Sequence, residues 1–175
     1  STVGHFRVTR AQSTIYVEPG DAAADMDAAF EICRRTFGIA AVGRAAVAEK
    51  NMEAITAAVQ NYLPPLLEGK KTFKVEAKRA DKTFPLPSPE IAAEAGGALL
   101  AACPRLRVDV HHPDVTVRVE VRESAAYIHA GQQKGAGGLP VGSSGKGLLL
   151  LSGGIDSPVA GWMMAKRGVK PDAVY

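Results

Sequence analysis

Cysteine is scarce: Cys33 and Cys103 are the only two in 175 residues, and neither has a partner at CxxC spacing. That excludes a disulfide framework or a zinc ribbon and makes a reducing, cytoplasmic setting the expectation. Aromatic residues make up 6% of the chain, with one tryptophan, so base-stacking platforms are few. No apolar run approaches the ~18 residues of a membrane span. The opening Ser1-Thr2-Val3-Gly4-His5 lacks a basic stretch leading into an apolar one, so neither a leader nor a membrane partner is expected. What is present is ordinary: 46% apolar and 22% charged residues with a net charge of +3 describe a globular chain of one medium or two small domains, without wholesale disorder.

Periodicity divides the chain into elements. Phe6 and Val8, then Ile15 and Val17, alternate with polar neighbours around Gln12-Ser13, which predicts a hairpin. A helical period follows from Asp21, with Met26, Ala29, Phe30, Cys33 and Phe37 on one face and Gly38 as a left-handed cap; Cys33 reads as a core thiol. Asn51 is a good N-cap for a second helix with Ile55, Ala58, Val59 and Tyr62 inward, and Pro64-Pro65 should break or kink it. A strand carries Phe73, Val75 and Ala77 on one face and Lys74, Glu76 and Lys78 on the other. Ser88-Pro89-Glu90 predicts a helix start with Ser88 as the cap; Ile91, Ala95, Ala98, Leu99 and Ala102 form its buried stripe. Gly96-Gly97 inside it costs about 1 kcal/mol each relative to alanine, which points to close packing by a neighbouring backbone or a ligand. Three strand-like runs follow, at Leu106–Val110, Val115–Val121 and Ala126–Ala130, with Arg118, Glu120 and Arg122 on an open face. Residues 51–130 thus read α-β-α-β-β-β. From Gly131 to Gly147, Gly, Ser, Pro and Lys displace any period, which reads as a linker.

The basic excess is local. Residues 70–82 hold six basic and two acidic side chains, a surplus of four against three for the whole chain. Lys70, Lys71, Lys74, Lys78, Arg79, Arg118 and Arg122 are therefore the candidates for gripping nucleic-acid phosphates. On composition alone a solvated strand face competes with that reading, because aromatics are few. His111-His112 have no third ligand at a useful spacing and read as an exposed loop pair; His129 is expected on the polar face of its strand, with Tyr127 beside it for RNA contact.

The strongest chemical signal lies at Ser152-Gly153-Gly154-Ile155-Asp156-Ser157-Pro158. Four leucines before it suit a parallel strand buried on both faces. The glycine pair lets a bulky anion approach the backbone, Ser157 can cap the next helix with Pro158 at its first position, and the positive helix end then meets phosphate oxygens. The hydroxyls of Ser152 and Ser157 add donors, and Asp156 can meet a metal. It is neither a Walker A loop, since Gly147 follows Gly145-Lys146, nor a dinucleotide GxGxxG. An ordinary strand-to-helix turn is the competing reading, and the strand context argues against it.

SGGIDS resembles the PP-loop of the N-type ATP pyrophosphatases. Together with Phe73 to Lys82, Ser88-Pro89-Glu90, Pro113 to Arg122 and Gly137 to Gly142, it makes the chain similar to the tRNA 4-thiouridine synthetase, or tRNA sulfurtransferase (ThiI), family. The resemblance implies an α/β (α+β) chain: a partial ferredoxin-like β-β-α unit over residues 1–50, a THUMP RNA-binding domain over 51–132, a linker over 133–147, and the first strand-loop-helix of a parallel α/β PP-loop pyrophosphatase domain over 148–175. It implies ATP and Mg²⁺ as cofactors, with Leu150, Leu151, Ser152, Gly153, Gly154, Asp156 and Ser157 at the nucleotide and Asp156 as the candidate catalytic group. It implies tRNA as partner, a cysteine desulfurase as sulfur donor, and a link to thiamine thiazole synthesis, and it admits a homodimer. The family's sulfur-carrying cysteine lies further downstream, so Cys33 and Cys103 are not promoted to that role, and a truncated chain inactive alone is the expectation. Two other readings remain open: an RNA-binding module only, and a PP-loop enzyme adenylating another substrate, which the upstream basic sheet disfavours.

Overall fold

Alternation at the start of the chain does produce a hairpin: β1 (Phe6–Ala11) pairs antiparallel with β2 (Thr14–Pro19), Phe6 opposite Pro19 and Ala11 opposite Thr14. The computed structural model describes residues 3–11 and 13–175; Ser1, Thr2 and the expected turn residue Gln12 lie outside the described residues. Helix α1 (Met26–Arg35) starts later than its periodicity suggested, because Asp25, not Asp21, caps it: Asp25 Oδ1 accepts from the N–H groups of Asp27 and Ala28 at 3.0 and 2.9 Å. Ala29 is its buried residue, whereas Cys33, expected in the core, is half-buried. The helix closes on Thr36 in extended conformation, so Gly38 (φ +95°) is not its cap. The short β3 (Ala41–Val42) ends this segment.

Residues 43–132 form a compact unit with its own core. It contains β4 (Ala46–Ala48), α2 (Met52–Leu66), β5 (Thr72–Arg79), α3 (Ser88–Ala102), β6 (Arg107–Val108), β7 (Val115–Val121) and β8 (Ala126–Ala130). The sheet order is β4-β8-β7-β5-β6, with β5 parallel to both β6 and β7, and β8 antiparallel to β7 and β4. Sequence alone divides the chain after residue 50; strand pairing puts Ala46–Ala48 at the edge of this sheet. Helices α2 and α3 pack on one sheet face through Ile55, Val59, Leu63, Ile91, Ala95 and Leu99, against Phe73, Val117, Val119, Val121 and Ile128. Eleven large apolar side chains are fully buried among the described residues, all of them in this unit. At about 1.5–3 kcal/mol each, they are what holds it together.

Four local expectations are corrected by the structure. Pro64-Pro65 do not break α2, which runs to Leu66, because buried Leu63 and Leu67 pin its last turn and the Leu67 N–H finds Pro64 O at 3.2 Å. Ser88 is the first residue of α3, not its cap; Pro87 stands there, and Ser88 Oγ accepts the N–H of Arg79 at 3.2 Å. Ala102 is exposed. The run after Leu106 pairs over only two residues and leaves Val108 and Val110 exposed, since Asp109 Oδ1 takes the N–H groups of His111 and His112 into a turn.

The segment read as a linker is hydrogen-bonded throughout its first half. Within the unit formed by residues 3–42 and 133–175, β9 (Gln133–Lys134) pairs with β3; Gly135 N donates to Ala40 O, Ala136 N to Arg34 O and Gly137 N to Ile39 O, and Leu139 N donates to Lys166 O. Its glycines serve close approach rather than flexibility. A Cβ on Gly135 would run into the Ile39 carbonyl, and one on Gly138 (φ +76°) into that of Lys166. Then come β10 (Lys146–Leu150), α4 (Asp156–Lys166) and β11 (Lys170–Val174), with β10 parallel to β11. The strand is parallel, as expected, but not buried on both faces: Leu149 packs on Gly161 of α4, while Leu148 and Leu150 are 68% and 74% exposed. Trp162 of α4 meets Phe37 edge-on at 5.4 Å.

Candidate nucleic-acid interface and phosphate loop

The face of the β4–β8 sheet opposite its helices carries the charged residues, and strand register decides which of them are available. Glu76 stands opposite Arg118, Lys78 opposite Glu120, and Arg118 opposite His129. Glu76 binds Lys74 Nζ at 2.6 Å and Arg118 Nε at 3.2 Å, and these two contacts, Lys74 first, hold its carboxyl below the usual range. Arg122 grips Glu120 Oε2 with two nitrogens, at 2.6 and 3.1 Å. Three of the expected phosphate ligands, Lys74, Arg118 and Arg122, are therefore already paired. Lys70 is exposed beside Asp114, whose carboxylate accepts the N–H groups of Lys71 and Thr72. Lys71 and Lys78 are exposed and make no ion pair among the described residues; the same holds for Lys82, absent from the expected set.

Arg79 belongs to the other face. It shares parity with Phe73, Val75 and Ala77, and its guanidinium donates to the carbonyls of Phe84 and Leu86 at 3.0 and 3.4 Å. That parity is the signal by which the sequence could have placed it. Next to it, Asp81 is 8% exposed and turned inward. Its Oδ2 receives Lys50 Nζ at 2.7 Å, and its Oδ1 receives the hydroxyl and the N–H of Thr83 at 2.6 and 2.8 Å. The Lys50 ammonium, then the Thr83 donors, hold this carboxyl well below the usual carboxylate range. Neither Lys50 nor Asp81 is marked by sequence pattern, because their meeting is a tertiary contact across 31 positions.

His129 lies on the expected strand face but is buried, 6% exposed, and its Nε2 is 3.9 Å from Glu120 Oε1. Burial pushes its pKa down, against a smaller upward pull from Glu120. Tyr127 is half-buried beside it, and His111 and His112 are exposed.

The loop after β10 is closed by its two serines. Ser157 Oγ accepts the N–H of Ser152 at 3.0 Å and lies 3.2 Å from Ser152 Oγ. Helix α4 begins at Asp156, earlier than expected, so Ser157 and Pro158 sit inside its first turn and Ser157 is not the cap. Ile155 occupies that position without a side-chain acceptor, so no side chain caps the first-turn donors. Ser152, Gly153, Gly154 and Asp156 are exposed, Leu151 is half-buried, and a Cβ on Gly153 would meet nothing within 4 Å. Open space, helix-end donors and two hydroxyls thus meet at this turn.

The THUMP domain family model matches residues 49–130, and the model described as thiamine biosynthesis protein (ThiI) matches residues 142–175. A probable tRNA sulfurtransferase of Acetivibrio thermocellus is 46% identical over 175 residues, covering 99% of this chain and 44% of its own length. The chain belongs to the tRNA sulfurtransferase (ThiI) family. A second tRNA sulfurtransferase relative, from Caldanaerobacter subterraneus, is also 46% identical, over 97% of this chain. The solved structure of a 4-thiouridine synthetase–RNA complex with bound ATP superposes with a TM-score of 0.84 at 36% identity, over 96% of this chain and 43% of that one. PH1313 from Pyrococcus horikoshii superposes at 0.86 with 30% identity, over 99% of this chain and 58% of that one. This tRNA sulfurtransferase family chain thus spans less than half the length of the curated relatives named here. The THUMP match lies within the sheet-and-helix unit, and the ThiI match spans β10, the serine-closed loop, α4 and β11.

Proposed function

We propose that this chain supplies the RNA grip and the nucleotide loop of a cytoplasmic, ATP-dependent tRNA sulfurtransferase that makes 4-thiouridine. In this reading a uridine O4 attacks the α-phosphate of ATP and pyrophosphate leaves. The outer sulfur of an enzyme persulfide, charged by a cysteine desulfurase, then adds at C4 as AMP departs, and a second thiol attacks the persulfide's inner sulfur, forming a disulfide and releasing 4-thiouridine. The observation that carries the reading is the presence of two chemistries on one chain: exposed lysines around β5, and an uncapped helix start behind a Gly-Gly turn. A module that only gripped RNA would have no use for the second.

The geometry suits a triphosphate. The uncapped first turn of α4 offers N–H groups to phosphate oxygens, and the hydroxyls of Ser152 and Ser157 stand beside it. Asp156 would repel a bare polyphosphate there, and a Mg²⁺ ion removes that repulsion, since Mg²⁺ binds through one or two carboxylates plus phosphate oxygens. Mg²⁺ would neutralise charge on the phosphates; the chain's own part is to hold and orient them.

The test uses the full-length enzyme carrying this chain, with tRNA, ATP, Mg²⁺ and a persulfide donor. Asp156→Ala should abolish thiolation and leave tRNA affinity within about twofold of wild type. Thiolation that survives the substitution, or a parallel loss of tRNA binding, contradicts the assignment.

A further inference from the structure

Within the most basic stretch of the chain one acidic side chain points the wrong way for a phosphate-binding loop to ignore it. Asp81 lies between exposed Lys78 and Lys82, yet it is buried, and its carboxylate is taken up by Lys50 Nζ and by Thr83. The loop around it, residues 80–87, is fixed at several further points. Ala80 and Asp81 both donate their N–H groups to Val121 O, Arg79 holds the carbonyls of Phe84 and Leu86, and Phe84 is buried in the core. The result is a loop with its acid buried and its one base, Lys82, exposed.

We propose that Lys50 and Asp81 form a latch that positions the loop carrying Lys82, next to Lys78 at the end of β5, for RNA phosphates, both latch residues acting through that loop without touching RNA. The proposal rests on the RNA-binding reading given above and assigns it two positioning residues that the basic patch itself does not contain. The ion pair anchors one side of the turn to the start of α2, and the Thr83 hydroxyl fixes the other. Without the latch, the loop and its Lys82 would have to be ordered by RNA at the moment of binding, and that ordering subtracts from affinity.

The latch reverses the sign of a charge mutation. If Asp81 acted only through its charge, Asp81→Asn would remove a repulsive group beside the phosphates and strengthen RNA binding. The latch requires the opposite: Asp81→Asn should weaken tRNA binding about tenfold, because the loop loses its Lys50 anchor while gaining a more favourable net charge. Binding is measured with the 175-residue chain and tRNA across a series of salt concentrations, with thermal unfolding of each variant recorded so that the assay stays in the folded range. Thr83→Ala, at an exposed residue, removes one loop bond and no charge, and keeps the test decisive should Asp81→Asn fold poorly. It should cost about threefold with an unchanged salt slope. Lys50→Arg, which preserves the pair, should bind as wild type does. A folded Asp81→Asn chain that binds as tightly as wild type or tighter overturns the latch, as does wild-type affinity in Thr83→Ala. A wild-type chain showing no salt-dependent tRNA binding removes the RNA-binding reading itself, and the latch with it.

Discussion

Arg118 stands directly opposite Glu76 in the β5–β7 register, its Nε 3.2 Å from a carboxylate that Lys74 also holds. The sheet face is therefore self-neutralised at its centre, and one glutamate keeps two cations from phosphate.

Replacing Glu76 by Gln should free both cations. Exposed pairs of this kind contribute little to stability, so the unit should remain folded. Affinity for tRNA should rise about three- to tenfold and the salt dependence should steepen by roughly one to two phosphate contacts. An unchanged slope would show that Lys74 and Arg118 face no RNA.

Gly97 offers a stability test of the core unit. The glycine pair in α3 suggested close packing, but a Cβ on Gly97 meets nothing within 4 Å and one on Gly96 meets only Val75 Cγ2 at 3.7 Å. Gly97→Ala should therefore stabilise the chain by about 0.5–1 kcal/mol, from helix propensity alone. Chemical denaturation measures it; destabilisation would mean that something approaches α3 there.

Acid should weaken the same unit in two stages. His129 is kept neutral by burial, so its folded pKa lies below the ordinary 6.5. The unfolded chain then binds the proton first, and stability falls as pH drops below 6.5 through the lower folded value. The carboxylates of Asp81, Asp109 and Asp114 are depressed from 3.8, so their contribution is present above that value and lost as pH falls beneath it. His129→Gln should flatten the first stage of a pH series of denaturation midpoints and spare the second. A first stage unaltered in the variant contradicts this origin.

The hairpin, the two helices of the core unit and the serine-closed loop were legible because each rests on local chemistry: alternation, Asn51 capping α2, and a Gly-Gly turn between strand and helix. Residues 133–140 were not, because composition cannot distinguish glycines that free a chain from glycines that let backbones touch, as Gly135 and Gly138 do. Arg79 was placed with the phosphate ligands by composition although its strand parity put it on the helix side. Ser88 and Ser157 both looked like caps, and each instead spends its hydroxyl on a backbone N–H from elsewhere, Arg79 in one case and Ser152 in the other. Those partners come from tertiary structure, which no local pattern encodes.

Lys78→Glu combined with Lys82→Glu tests the central claim most directly, because both residues are exposed and form no ion pair among the described residues. The measurement is tRNA affinity of the 175-residue chain at fixed salt, with ATP–Mg²⁺ affinity followed in the same samples through Trp162, the single tryptophan, on the helix that begins at the phosphate loop. The account predicts a loss of tRNA affinity of about tenfold or more with ATP affinity unchanged. Undiminished tRNA binding by the double variant would contradict it.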